Sequence, residues 1–446
     1  MTPEVLTILM FGILMAAIAL GHPLAITLAA TATLIGLIDN GFDIPALFDL
    51  ITNNNWGIFL NYTLVSIPLF IFMAQVLDRA KVSEELFDAL YVILGGLRGG
   101  LGLAVIVVST VFAATTGIVG ASVVAMSLMA GPALLQRGYD KPMSAGIITA
   151  SGTLGILIPP SIMLVVYAGL TGLKETSVGN LFAGAIMPGL LLSALYLTYV
   201  GIRCALNPNA GPPIPPEERT ATLGQKCFMF VKSLVPPFGL ILAVMGTILA
   251  GVATPTEAAA LGATGALVLA VFKRTCTWKM ISGASLATAR TTCMVMALFI
   301  GGKVFSVVFL SIGGGDVVAD VLLGMDVSPY VVLLLMNLVV FILGMFIDWA
   351  AILLVTVPIF TPIAQDLGFD PLWFAMILCV NLQTSFLTPP FGYSLFYFKG
   401  AAPPEFTMGE VYRGIIPFIV LQLLCVASMV VFPDLVTYLP SVFFGD

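Results

Sequence analysis

Two double prolines, Pro159-Pro160 and Pro389-Pro390, sit inside strongly apolar segments: SGTLGILIPPSIMLVVY over 151–167 and NLQTSFLTPPFGYSLFY over 381–397. Proline offers no backbone N–H and clashes with the preceding turn, so each pair is expected to kink or break the helix that carries it. An interruption frees peptide carbonyls and amides, and in lipid such groups survive only when buried in protein or lining a wet cavity. Unwound carbonyls hold cations, while the amino termini of half-helices attract anions. The chemistry on offer is binding of an ion and an acid, without bond breaking.

The two segments are copies. A gapless offset of 230 superimposes Gly138 on Gly368, Asp140 on Asp370, both proline pairs, Tyr167 on Tyr397, Gly179 on Gly409 and Gly184 on Gly414. Matched interruptions in two halves are the strongest sequence pointer to a carrier's binding site. A tolerated kink would explain either copy alone; duplication argues against it for the pair.

The elements that must position these breaks are apolar almost throughout. Of 446 residues, 59% are hydrophobic and 9% charged, against roughly 25% charged in soluble proteins. Apolar runs cover about 3–20, 24–38, 56–78, 101–135, 143–172, 180–203, 233–253, 255–272, 291–311, 329–365, 371–398 and 411–433, many long enough to cross a bilayer. The expectation is an all-α polytopic membrane protein. Residues 1–20 lack a basic leader and read as a first membrane helix rather than a cleaved signal. Six cysteines without CxxC spacing, a single histidine (His22) and no GxSxG motif argue against a disulfide framework, a zinc site and an enzyme. A channel would need a continuous polar lining, and a purely structural subunit has no reason to duplicate a broken helix.

Basic residues set the expected orientation. The polar linker 204–232 and the stretch holding Lys273, Arg274, Lys279 and Arg290 share one side, since the runs between them are joined by the tight Thr254-Pro255-Thr256-Glu257 turn. The positive-inside rule makes that side the cytoplasm. Arg79, Lys81, Arg98, Arg137 and Lys141 join it only if 101–135 enters and leaves on one side, as a re-entrant hairpin turning around residues 115–120. By the same count 329–365 is a second hairpin, turning at 344–348 and opening from the outside, so the halves are inverted. The stretch 80–97 reads as an interfacial arm helix. The expected organisation is scaffold and arm over 1–100, a first transport half over 101–203, linker with second scaffold and arm over 204–328, and a second transport half over 329–435.

Several motifs then resemble the large membrane subunit of tripartite ATP-independent periplasmic (TRAP) transporters. They are IPLFIFMA (67–74), GILIPPS (155–161), ATPTEAAA (253–260), GMFIDWAAILLVTVPIFTPIAQDLGFDP (344–371) and TSFLTPPFGYSLF (384–396), in order along the chain. The resemblance implies an inverted-repeat, elevator-type carrier with two re-entrant hairpins and two broken helices, in a bacterial inner membrane. It implies sodium as the coupling ion, an organic acid as substrate, a small four-helix membrane subunit and a periplasmic substrate-binding protein as partners. It calls for no other cofactor and no nucleic acid. A binding-protein-independent sodium/carboxylate symporter is the alternative.

In the family, sodium lies between hairpin tip and helix break. Here that points to Thr116, Gly120, Ser122, Gly155, Ile158 and Pro160 in the first half, and to Gly344, Phe346, Asp348, Thr384, Thr388 and Pro390 in the second. No arginine lies in a membrane segment, so the acid is expected between Gly120–Ser122 and Asn381–Gly392, held by free N–H groups. Candidate substrate residues are Ser122, Ser151, Pro159, Asn381, Ser385 and Gly392, and the Phe-rich second break suits a small monocarboxylate or 2-oxo acid. Each has a bland alternative, because Ser and Thr in apolar helices bond to their own backbone or glue neighbouring helices. Asp348 could serve sodium, a proton or hairpin closure, or simply cap the next helix. Lys303 could pair with Asp348, meet an anion, or snorkel to an interface. Glu257 reads as a helix-start acid.

Overall fold

Apolar runs with few breakers fold here into twenty α-helices and three short 3-10 turns; the computed structural model describes residues 1–117, 119–219, 221–325 and 327–445, with only the backbone at 113–116 and 223. Among the described residues, nine helices are long and apolar enough to span a membrane and no strand occurs.

Helices α1 (Pro3–Ala19), α2 (Leu24–Asp39) and α3 (Ile44–Phe59) lead to α4 (Ser66–Arg79). The run expected over 56–78 is therefore divided: α3 ends at Phe59, and a 3-10 turn begins where Asn61 caps Thr63 N. Lys81, at φ 58°, turns the chain into α5 (Val82–Leu94). This helix falls within the stretch read as an arm and is amphipathic, burying Val82, Leu86, Phe87 and Leu90 and exposing Glu84, Glu85 and Asp88. Next come α6 (Gly100–Thr116) and α7 (Val119–Gln136), the arms of the first hairpin. The first interrupted helix is α8 (Lys141–Thr153) followed by α9 (Ile162–Thr171), and α10 (Val178–Leu206) closes the half.

The polar linker is shorter than the expected 204–232. A capping box between Thr222 and Gln225 already starts α11 (Leu223–Leu249), so Lys226 and Lys232 ride on a helix. α12 (Pro255–Phe272) begins at a second capping box, in which Glu257 accepts from Thr254 N at 2.8 Å, the helix-start role expected for that acid. The run expected at 291–311 is only the end of α13 (Trp278–Ser311), 34 residues long. Its first turns carry Lys279 and Arg290, which dilute the apolar signal. Gly313, at φ 78°, opens a second arm, α14 (Gly314–Leu323), which the apolar runs did not reveal. Then follow the second hairpin, α15 (Pro329–Phe346) and α16 (Trp349–Asp366); the second interrupted helix, α17 (Pro371–Ser385) and α18 (Tyr393–Ala401); the closing helix α19 (Met408–Val431); and an unforeseen α20 (Asp434–Phe444), which packs on α10.

The sequence repeat is a spatial two-fold. Gly414 lies against Pro142, and Gly184, 230 positions earlier, lies against Leu372, 230 positions after Pro142. Likewise α7 packs on α18 while α9 packs on α16. Reciprocal pairs of this kind arise when two halves are related by a rotation that exchanges them. Gln383 and Thr153 are counterparts 230 residues apart, and Gln383 Nε2 donates to Thr153 Oγ1 at 3.0 Å, so the axis passes between them. Both side chains are fully buried. The ends of the two interrupted helices therefore meet across this buried bond.

Candidate transport site

At the first break, α8 ends in a 3-10 turn over Leu154–Ile156, and the backbone does not resume a helix until Ile162. Leu157 N and Ile158 N both donate to Leu154 O, at 3.0 and 2.9 Å, and the Ser161 hydroxyl donates to Ile156 O. At the second break the carbonyl 230 positions on, Phe386 O, accepts from Ser394 Oγ at 2.8 Å. The same carbonyl is thus stapled in both halves, by serines at different distances along the chain. Both Pro-Pro bonds are cis. Gly392 sits at φ 55°, a left-handed conformation open to glycine, where the chain turns into α18.

The hairpin tips close onto these breaks. A Cβ on Gly117 would lie 3.1 Å from Ile162 Cγ1, and one on Gly120 would lie 3.1 Å from the Tyr397 ring. The first tip therefore touches its own break and the helix beyond the other break. On the second tip, Tyr393 donates its hydroxyl to Phe346 O at 3.2 Å, and Phe346 packs at a tilt against Phe391 with ring centroids 5.6 Å apart. Asp348 caps α16 through Ala350 N at 3.2 Å.

Both tips and both breaks share one cavity of about 80 Å³. The first half supplies Gly120 and Ile162 to its wall, the second supplies Asp348, Phe386, Tyr393 and Tyr397, and α13 closes it with Thr291, Val295 and Leu298. Among the described residues, Asp348 is the only charged one in the wall. A carboxylate, two phenols and a hydroxyl in an apolar enclosure can hold a small polar molecule and a cation.

The predicted residues distribute unevenly around this cavity. Gly120 and Asp348 line it. Ser122 is buried in the first turn of α7, and Thr116 ends α6 with its side chain outside the described residues. Gly155, Pro159 and Pro160 are buried in the first break, with Ile158 half-buried against Gly189. Ser151 donates to Ile147 O at 2.6 Å and to Ser109 Oγ at 3.0 Å, tying α8 to α6. Asn381 donates to Asn337 O at 2.7 Å, tying α17 to α15. Gly344 allows Ser385 its close approach, since a Cβ there would fall 1.9 Å from Ser385 Oγ. Thr384, Ser385 and Thr388 donate back to their own helix, to Val380 O, Leu382 O and Thr384 O. The Pro390 carbonyl accepts from Tyr412 at 3.4 Å. Several of these side chains thus take the helix-bonding role that apolar surroundings impose on hydroxyls and amides.

Tyr393, Phe386 and Thr291 were not foreseen. Tyr397 was visible as a repeat position matching Tyr167, and that match was the available signal. Thr291 belongs to a helix far from either break in sequence, and no local pattern points to it.

Comparison with known proteins places the chain in a family. A family profile described as "Tripartite ATP-independent periplasmic transporter, DctM component" matches residues 11–435. A C4-dicarboxylate TRAP transporter large permease protein, DctM, from Pseudomonas aeruginosa is 33% identical over 86% of this chain and 85% of its own length. An isethionate TRAP transporter permease, DctMQ, from Oleidesulfovibrio alaskensis is 31% identical, covering 97% of this chain and 65% of that longer protein. Among solved structures, the YdaH transporter of Alcanivorax borkumensis superimposes with a TM-score of 0.63 at 16% identity, over 92% of this chain and 90% of its own. That likeness speaks to the fold.

Proposed function

This chain belongs to the DctM component family of tripartite ATP-independent periplasmic transporters, as the large, multi-pass permease subunit, and from that premise we propose that it couples sodium entry to uptake of a small organic acid. The observation that supports this reading is the convergence of two hairpin tips and two broken helices on one small cavity where Asp348 is the only charged residue among those described. An acid anion entering beside a carboxylate needs a cation, and among the described residues no lysine, arginine or histidine lines the wall. Sodium supplies that charge and takes the oxygen ligands that unwound backbone offers.

We place one ion between the first tip and break, at Thr116, Gly155, Ile158 and Pro160, and a second at Phe346, Asp348, Thr388 and Pro390. The acid carboxylate lies between them near Gly120, with the phenols of Tyr393 and Tyr397 in reach. Relatives named for C4-dicarboxylates and isethionate handle small anions, and a cavity of about 80 Å³ suits an acid at the small end of that range. The hairpins and broken helices move together against α4 and α13, exchanging access between the two sides. A small membrane subunit and a periplasmic binding protein complete the system in the inner membrane.

The test is uptake into proteoliposomes of radiolabelled small carboxylates, using this subunit with its membrane partner and binding protein, with and without an inward sodium gradient. Sodium-dependent uptake that Asp348→Asn abolishes is the expected result. Uptake indifferent to sodium, or unchanged in Asp348→Asn, overturns the ion assignment; uptake by this chain without a binding protein selects a self-sufficient symporter instead.

A further inference from the structure

Lys303 has no role in the cavity just described. It lies in α13, half-buried, and among the described residues it has no ion-pair or hydrogen-bond partner. Around it is a separate cavity of about 290 Å³, bounded by Asn54 of α3, Leu170 of α9, Ser306 of α13, and Leu354 and Pro358 of α16. Ser306 is 96% buried, and its hydroxyl likewise bonds to no described residue. Leu298 of the central cavity is five residues back along α13, about 7.5 Å by helical rise, and on a different face of the helix.

The fold does not require this pair. Offset by 230, Lys303 and Ser306 fall on Met73 and Val76; offset by 232, the spacing of the Lys81 and Gly313 corners, they fall on Ile71 and Ala74. Either register puts apolar residues at both positions of α4, so the ammonium and hydroxyl are an addition to one half. A lone ammonium within apolar helices is costly and usually marks function. Three N–H donors beside a free hydroxyl, with room for water, are what an oxyanion needs.

We propose that this cavity is a second anion site, in which Lys303 and Ser306 bind an oxyanion: a carboxylate, a sulfonate or a phosphate. It rests on the carrier reading only for the origin of the ligand, since a free organic acid and a lipid headgroup offer the same oxygens. The site joins α3 and α13 on one side to α9 and α16 on the other. An anion there bridges the helices proposed to stay still and those proposed to move, and its occupancy is sensitive to their relative position.

The test follows thermal unfolding of the purified chain in lipid-free detergent, titrated with potassium pyruvate, succinate and isethionate against potassium chloride at matched ionic strength. Omitting sodium leaves the proposed central site unloaded. At least one oxyanion is expected to raise the midpoint of the wild type and of Lys303→Arg; Lys303→Met should need about tenfold more, and Ser306→Ala an intermediate amount. Phosphatidylglycerol that produces the same Lys303-dependent shift and abolishes the response to soluble anions identifies a lipid headgroup as the source. The proposal is overturned if no oxyanion or phosphatidylglycerol exceeds chloride, or if Lys303→Met responds like the wild type. Loss of uptake in proteoliposomes would sink the carrier reading while leaving a Lys303-dependent shift intact.

Discussion

The two breaks have the same sequence logic and unlike surroundings. In the first, residues 154–161 are buried except for the half-buried Ile158. In the second, Thr388 and Pro389 are half-buried, Pro390 is exposed and Phe391 is 51% exposed. The matched tyrosines follow suit: Tyr167 is fully buried and holds Thr361 at 3.3 Å, whereas Tyr397 is 40% exposed and faces the cavity. Yet both breaks staple the same carbonyl with a serine. Local interruption is thus a property of the repeated sequence, and access is a property of what the other half presents. In the carrier proposed above, the opposite state exchanges the two environments.

The sharpest way to break this comparison is at paired glycines. A Cβ on Gly414 would fall 1.8 Å from the Pro142 carbonyl oxygen, a backbone atom with nowhere to go, while the nearest atom to one on Gly184 is 3.3 Å away. Gly414→Ala should cost at least about 1–3 kcal/mol by overpacking, and Gly184→Ala a fraction of that. Thermal unfolding in detergent measures both, and equal losses would show that the halves pack alike.

Next is the bond on the axis. Thr153→Val strands the buried Gln383 amide and should cost about 1–3 kcal/mol. Gln383→Leu should cost less, because it also removes an Oε1 that already lacks a partner in its buried site. The double variant should recover part of the Thr153→Val loss; strict additivity in a double-mutant cycle would mean that the two positions do not interact.

A gentler probe compares counterparts at the breaks. In a cysteine-free background, Phe391→Cys should react quickly with a membrane-impermeant thiol reagent, and Ser161→Cys, its fully buried equivalent 230 positions earlier, should not. Conditions that drive the opposite state should reverse the order, and labelling fixed in all conditions would argue against exchange.

The smallest expected effect concerns the linker, which docks on the first half alone. Gly99 N donates to Gly211 O at 2.9 Å, Ile214 N to Gly95 O at 2.7 Å, and Arg137 donates to both carboxylate oxygens of Glu218. Those bonds hold the Glu218 carboxyl below its ordinary range. A carboxyl lowered on folding stabilises docking at neutral pH, and that stabilisation disappears as the pH falls through the folded-state value. Proteolytic nicking of 207–222 should therefore rise below about pH 4. At neutral pH, Arg137→Ala should already show that rise; an unchanged nicking rate would mean that the ion pair does not hold the linker.

Much of this architecture was legible before any coordinates. Proline pairs repeated 230 residues apart placed both breaks, where a proline pair alone would not, since Pro236-Pro237 lies inside the continuous α11; hydropathy placed most helices, and the amphipathic pattern of 80–97 marked a first arm. Each is a short-range property, carried by the residues that express it. A second arm was expected within 204–328 but not located, and the terminal α20 escaped, because the few turns of α14 and α20 mix polar with apolar residues. Which hydroxyls would face the cavity was not legible either: Ser151, Asn381 and Ser385 have the right chemistry, but neighbouring helices claim the hydrogen bonds of the first two and Ser385 bonds within its own helix. Tyr393, Thr291 and the Gln383–Thr153 contact come from helices far apart in the chain. Covalent preferences act between adjacent residues and so can be read along a string, whereas a cavity wall forms only once distant surfaces have excluded one another and left a space between them.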